Sequence, residues 1–140
     1  MSSDTKVSVT SALWAGRILA TLSCLHLALT GVANARHVTG WLTGGLWMTP
    51  RGLDDLATLG PDGAGFWIFW GSFAVPLGLL GAFVARMAKI GQVPPPYVAV
   101  VVAIWALVAA VVFEPSPFVL GVVPAAMLLA AWRKQRAAAA

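Results

Sequence analysis

The sequence is poor in charged residues, and acidic residues are the scarcer kind. Charged residues make up 10% of the 140 positions, with nine Lys and Arg against five Asp and Glu, while 59% of the residues are hydrophobic. Soluble domains carry about 25% charged and about 45–50% apolar residues. A soluble enzyme and a disordered chain both need more polar surface than this. The composition therefore predicts an integral membrane protein.

Other absences narrow the chemistry. The single cysteine, Cys24, cannot form an internal disulfide. The sequence contains no Ser-His-Asp constellation, no Cys/His metal spacing, no phosphate-binding loop and no H-E-x-x-H motif. The Lys and Arg residues are scattered over short segments, whereas nucleic-acid binding needs a clustered basic face. We therefore predict no metal, no cofactor and no nucleic-acid partner.

Four apolar segments come close to the length of a membrane-spanning helix, which is about 20 residues. They cover residues 12–32, 66–85, 97–113 and 117–132. The sequence thus predicts an all-α fold, an integral membrane four-helix bundle that forms one domain over residues 1–140. A long extracytoplasmic loop over residues 34–65 joins helices 1 and 2, and residues 51–59 within it are predicted to form a short amphipathic helix. Pro76 and Pro124 lie inside segments and are expected to bend them.

The distribution of Lys and Arg predicts the orientation in the membrane. Six cations fall on one side of the bundle, and only Arg36 and Arg51 fall on the other, together with four carboxylates. Because cytoplasmic loops are enriched in Lys and Arg, both termini are predicted to lie in the cytoplasm, with the chain in the inner membrane. An alternative stays open for the first segment, a cleaved leader that ends at the A-x-A sequence Ala33-Asn34-Ala35.

Polar residues of the first segment are candidates for a ligand-binding site. Ser23, His26 and Thr30 share one helical stripe with small residues. An ionisable residue within a span is a functional hypothesis by default, and His26 could pair with Glu114 at the outer end of the third segment. The structural alternative is a neutral imidazole that bridges helices, with Glu114 ending its helix among the lipid headgroups.

Three further residues complete the candidate set. Arg17 could grip an anionic substrate group or extend to the headgroups. Trp41 and Trp47 are expected to anchor the long loop on the outer membrane surface. Haem would need a second histidine at the depth of His26, and His37 lies beyond the end of that helix. The sequence therefore predicts no cofactor, with quinone and haem as minor alternatives.

The residues leave three functions open. The favoured one is a non-enzymatic accessory or interaction protein, with the lipid bilayer and either a membrane protein or a second copy of the chain as partners. The second is a redox or lipid/quinone-binding protein with an outer-leaflet site around His26 and Glu114. The third is an oligomeric small-molecule transporter, although the first span has none of the carboxylates on which the small multidrug resistance exporters depend.

Several short motifs occur in an order that resembles a known family. They are Gly65-Phe66-Trp67, Ala74-Val75-Pro76, Gly91-Gln92-Val93-Pro94 and Pro115-Ser116-Pro117-Phe118. From about residue 12 onward the chain resembles the bacterial four-helix membrane proteins of the domain of unknown function 6463 family. The resemblance implies a four-helix membrane fold with a retained first helix, and it implies no activity. A weaker likeness, through Arg17-Ile18-Leu19, is to DoxX-type membrane proteins, some of which are linked to quinone redox chemistry.

Overall fold

The described part of the chain is predominantly helical. The computed structural model describes residues 3–44, 46, 60–112 and 117–139, and it places no strand among them. The α-helices are α1 (Ser3–Ala33), α2 (Val38–Leu42), α3 (Pro61–Ile68), α4 (Ala74–Lys89), α5 (Pro96–Val112) and α6 (Val122–Ala139), with 3₁₀ helices at Ala35–His37 and Pro117–Gly121. The predicted all-α class is confirmed. The amphipathic helix predicted over residues 51–59 lies outside the described residues.

A glycine-dependent turn ends α4. Gly91 has a φ of +81°, a backbone conformation that glycine adopts without strain. The Gln92 N–H donates to the Met87 carbonyl at 2.9 Å, and the Gly91 N–H donates to the Ala88 carbonyl at 3.0 Å. These two bonds form a Schellman motif, which satisfies the last carbonyls of the helix. The chain then restarts as α5 at Pro96, where the missing N–H of proline has no cost.

The second predicted segment, residues 66–85, is not one continuous helix. α3 ends at Ile68 and α4 begins at Ala74. The Ser72 hydroxyl donates to the Phe69 carbonyl at 2.7 Å and accepts the Ala74 N–H at 3.3 Å, so it replaces part of the lost helical bonding. Pro76 consequently lies in the first turn of α4, where its ring and its missing N–H are tolerated. Pro124 likewise lies in the first turn of α6.

The chain divides into two compact units. The first unit contains Met1–Thr21 and Gly78–Ala140, and the second contains Leu22–Leu77. The first unit is packed by small residues: eight of its buried hydrophobic residues are alanines, namely Ala12, Ala15, Ala88, Ala99, Ala106, Ala109, Ala125 and Ala131. Larger buried residues, such as Val84 and Leu128, complete one core cluster that joins α1, α4, α5 and α6.

Two glycines bring α1 and α4 into backbone contact within the first unit. A Cβ on Gly16 would lie 2.7 Å from the Gly81 carbonyl oxygen and 2.6 Å from the Ala85 nitrogen. A Cβ on Gly81 would lie 2.7 Å from the Gly16 carbonyl oxygen and 2.5 Å from the Ala20 nitrogen. All of these neighbours are backbone atoms, so neither position can accept a side chain without separating the helices.

Large apolar side chains cover the outside of the first unit. α5 alone exposes Val100, Val101, Ile104, Leu107, Val108, Val111 and Val112. Two helical stretches, Lys6–Ala33 and Pro117–Ala138, are long and apolar enough to cross a membrane, and Pro96–Val112 is a shorter apolar helix. Most of the buried hydrophobic residues of the first unit are therefore small, and large apolar residues predominate among its exposed ones.

Candidate functional site

The polar residues predicted along α1 bond to backbone carbonyls of the second unit. The Ser23 hydroxyl donates to the Ala74 carbonyl at 2.5 Å. His26 Nε2 lies 3.2 Å from the Ile68 carbonyl oxygen, which requires the proton on Nε2 if the contact is a hydrogen bond. The Thr30 hydroxyl donates to the His26 carbonyl, one turn earlier, at 2.7 Å. Ser23 and His26 therefore link α1 to the chain on either side of the break between α3 and α4.

A second polar group, not predicted from the sequence, lies just beyond α1. His37 Nδ1 is 2.6 Å from Asp62 Oδ1, and the two residues are 25 positions apart in the chain. The imidazole is largely buried, with 12% of its side chain exposed, while the carboxylate is 44% exposed. Asp62 lies in the first turn of α3, where the helix dipole favours a negative charge.

The hydrogen-bond network assigns the protons of His37. The Arg36 Nε–H donates to His37 Nε2 at 3.1 Å. Since Nε2 accepts, the ring proton lies on Nδ1 and is donated to Asp62. The group is then a neutral imidazole between a guanidinium and a carboxylate, and its two formal charges cancel.

Two glycines make room for this pair. A Cβ on Gly40 would collide with the Asp62 carboxylate, and a Cβ on Gly65 would lie 3.1 Å from the His37 ring and 2.9 Å from Asn34 Oδ1. The Asn34 side chain is itself held by a bond from Nδ2 to the Thr30 carbonyl at 2.8 Å. The surrounding backbone is thus built to admit the pair.

Trp41 ties the pair to an aromatic cluster. Its indole N–H donates to the Asp62 carbonyl at 2.8 Å. Its ring is stacked with Phe69 at a centroid distance of 6.0 Å and meets Phe66 edge-on at 6.1 Å. We call Arg36, His37, Trp41 and Asp62 the His37–Asp62 clasp, because they join the turn after α1 and helix α2 to the first turn of α3.

The chemistry of the clasp is that of an oriented imidazole. A carboxylate that accepts from Nδ1 fixes the orientation and the tautomer of the ring. Among the described residues, however, no hydroxyl or thiol bonds to His37, and no three His, Cys, Asp or Glu side chains are placed to hold a metal ion. The observed contacts of His37 and Trp41 with Asp62 cross-link the turn after α1 and helix α2 to α3.

Of the remaining predicted site residues, one belongs to the first unit and two lie outside the described residues. Arg17, in the first unit, places its guanidinium 4.9 Å from the Trp14 ring centre in a cation–π contact. Glu114 and Trp47 lie outside the described residues, so the predicted pairing of His26 with Glu114 remains a prediction. Of the loop tryptophans, Trp41 is the one whose contacts are described.

A sequence signal for the clasp was present. Gly40 follows His37 by three positions and Gly65 follows Asp62 by three, so each polar side chain has a glycine on its own helical face. A glycine at this spacing leaves room for a close partner. In the sequence, His37 lies beyond the end of the first helix. That position excludes it as a second haem ligand at the depth of His26 and does not by itself suggest another role.

Comparison with known proteins identifies the family. No curated protein and no solved structure matches the chain, and the likeness to DoxX-type proteins is not shown. A family model, the family of unknown function DUF6463, matches residues 10–135. This match spans nearly the whole chain and confirms the resemblance carried by the glycine, tryptophan and proline motifs. The protein belongs to the family of unknown function DUF6463.

Proposed function

We propose that the protein is a multi-pass inner-membrane protein that acts as a non-enzymatic accessory or interaction protein. The observation that carries the membrane part is the reversed placement of small and large apolar residues in the first unit. Alanines fill its interior, while valine, leucine, isoleucine and aromatic side chains cover its surface.

Water would favour the opposite arrangement. The hydrophobic effect buries the largest apolar side chains, yet on α5 Val111 is 73% exposed while Ala106 is fully buried. In lipid the hydrophobic effect does not drive helices together, because the lipid tails are as apolar as the helix surfaces. Close packing through small residues holds the helices together instead. The Gly16–Gly81 contact is the tightest example of that packing.

The charges support an orientation with both termini in the cytoplasm. The core cluster joins Ala12 near the start of α1, Ala88 at the end of α4, Ala99 at the start of α5 and Ala131 in α6. These helix ends therefore share one end of the first unit, and six exposed cations lie near them. The positive-inside rule places that end in the cytoplasm, which agrees with four passes.

The contacts of the α1 polar residues support a role without catalysis. Ser23 and His26 contact the backbone carbonyls of Ala74 and Ile68, as expected of side chains that link helices in a membrane. Thr30 bonds to a carbonyl of its own helix. The proposed task of the protein is then to present a stable helical surface to another membrane protein or to a second copy of itself.

Fractionation and cysteine labelling test the membrane part. We expect the chain to remain in the pellet after alkaline extraction of membranes. In a Cys24→Ser background, a membrane-impermeant maleimide should label Thr39→Cys in intact cells, and it should label Ala138→Cys only after lysis. Recovery of the chain in the alkaline supernatant, or labelling of Ala138→Cys in intact cells, would contradict the proposal.

Native mass spectrometry from mild detergent tests the accessory part. We expect a reproducible second subunit, either a partner protein or another copy of the chain, and no bound small molecule that depends on His26. A small molecule present in the wild type and lost in a folded His26→Ala variant would favour the quinone- or lipid-binding alternative. Substrate flux in liposomes would favour the transporter.

A further inference from the structure

The cationic end of the first unit carries an unusual excess of charge. Its six cations are Lys6, Arg86, Lys89, Arg133, Lys134 and Arg136, and all six are exposed. The sequence supplies one carboxylate near this end, Asp4, so the formal balance is six minus one, or +5. This end holds six of the nine Lys and Arg residues of the chain.

These cations have no anionic partner within the described residues. The one contact of salt-bridge length that the structure describes is between His37 and Asp62, in the other unit. Arg136 instead lies over the Trp132 ring, 5.1 Å from its centre, a contact that orients the guanidinium and leaves its charge uncompensated. Among the side chains that the structure describes, the end is therefore a surface of like charges without a neutralising carboxylate.

Apolar side chains border the cations directly. Val7 follows Lys6 and is 47% exposed, and Ile90 follows Lys89 and is 64% exposed. Tyr97, at the start of α5, is 67% exposed. A partner that fits this surface must carry anionic groups next to hydrocarbon. An acidic phospholipid has both, whereas a soluble acidic peptide has only the anionic groups.

We propose that the cationic end binds the headgroups of anionic phospholipids in the cytoplasmic leaflet. The inference rests on the proposed membrane location and extends it, because a general positive-inside bias requires no selection among lipids. Each Lys or Arg near an anionic membrane surface strengthens binding by roughly fivefold. Basic pockets on the cytoplasmic side of helical membrane proteins recognise phosphate headgroups in this way.

Lipid titration followed by native mass spectrometry tests the proposal. The wild-type protein in mild detergent is titrated with phosphatidylglycerol and, separately, with phosphatidylcholine of the same acyl chains. We expect the wild type to retain phosphatidylglycerol preferentially. The triple variant Arg133→Gln/Lys134→Gln/Arg136→Gln should bind it about tenfold or more weakly. Inorganic phosphate as a competitor should displace little of the bound phosphatidylglycerol, which separates a lipid from a free anion.

Two variants separate charge from folding. Arg133→Lys/Arg136→Lys keeps both charges and should retain the lipid preference. Arg51→Gln removes a cation of the predicted outer loop and should also leave the lipid preference unchanged. If the triple variant does not fold, the pair Arg86→Gln/Lys89→Gln provides the same test on α4. Raising sodium chloride to 0.5 M should weaken the preference of the wild type, because salt screens exposed charges over about 10 Å or less.

The outcomes distinguish this inference from the proposed function. Equal retention of both lipids by a wild-type chain that resists alkaline extraction would overturn the inference and leave the membrane location intact. Binding of a polyglutamate peptide in place of lipid, lost in the triple variant, would also overturn it in favour of an acidic protein partner. A chain extracted by alkali would contradict the proposed function itself.

Discussion

The two units of this protein are stabilised in different ways. In the first, from Met1–Thr21 and Gly78–Ala140, the interior is mostly alanine, and the backbones of Gly16 and Gly81 approach too closely to admit a Cβ at either position. In the second, Leu22–Leu77, short helices are joined by side-chain hydrogen bonds and aromatic pairs around His37, Asp62 and Trp41.

The difference shows what each unit can tolerate. Packing between backbones is sensitive to volume, because a single methyl group has no room, and it is insensitive to charge. The clasp is sensitive to the loss of a donor or acceptor, because a half-buried polar group without a partner is costly. Substitutions that add volume should therefore be most harmful in the first unit, and substitutions that remove hydrogen bonds in the second.

The largest effect is expected from Gly16→Ala. Its methyl group would meet backbone atoms of Gly81 and Ala85 within 2.7 Å, so the helices must separate, at a cost of about 3 kcal/mol. Unfolding in mild detergent measures it. Gly60→Ala is the matched control, because a Cβ there meets nothing within 4 Å and φ is −59°. Equal stability of the two variants would show that the backbone contact at Gly16 does not contribute to the stability of the protein.

A smaller effect is expected from breaking the His37–Asp62 clasp. His37→Ala and Asp62→Ala should each cost about 2 kcal/mol, visible as faster amide exchange in α2 and α3. The double variant should cost less than the sum of the two, because the residues share one bond. Strict additivity would mean that the 2.6 Å contact does not contribute to stability. Leu42→Ala, at a position of α2 that is 82% exposed, serves as the control.

Trp41→Phe should have an effect of about 1 kcal/mol, because it removes one hydrogen-bond donor and keeps an aromatic ring against Phe69. The measurement is amide exchange in α3, whose Asp62 carbonyl accepts the indole N–H. Trp70→Phe is the control, since Trp70 is 59% exposed. An effect of Trp41→Phe no larger than that of the control would indicate that the stacked ring, and not the N–H, does the stabilising.

The smallest effect is expected from Arg17→Gln. It removes an exposed cation–π contact with Trp14, worth about 0.5 kcal/mol. Thermal unfolding in detergent should show almost no change, and Arg17→Lys should behave like the wild type. Unchanged stability together with loss of a bound anionic molecule would instead favour the predicted substrate-gripping role of Arg17.

The sequence predicted the helices better than it predicted their interruptions. The apolar run over residues 97–113 coincides with α5 to within one residue at each end, and the run over residues 12–32 lies within α1, which begins nine residues earlier, at Ser3. Pro94 and Pro95 lie between α4 and α5. The run over residues 66–85 read as one helix because Phe69 and Gly71 do not break an apolar pattern. At the break, the Ser72 hydroxyl donates to the Phe69 carbonyl and accepts the Ala74 N–H. A hydropathy pattern contains no information about such hydrogen bonds.

The candidate site was predicted only in part. Ser23, His26 and Thr30 were found because polar residues stand out within an apolar helix, and Trp41 because tryptophan is large and lies in a loop. His37 and Asp62 looked ordinary, since each lies in a polar stretch where a charge needs no explanation. Their significance arises from a partner 25 positions away.

By itself the sequence determined the helical class and indicated the long apolar helices, because these depend on composition and on local patterns of apolar residues, glycine and proline. Only the tertiary structure decided which glycines form the Gly16–Gly81 contact, which carbonyls receive the polar side chains of α1, and that His37 meets Asp62. These contacts join residues far apart in the chain. Their energies depend on distances of a few ångströms, which no local pattern specifies.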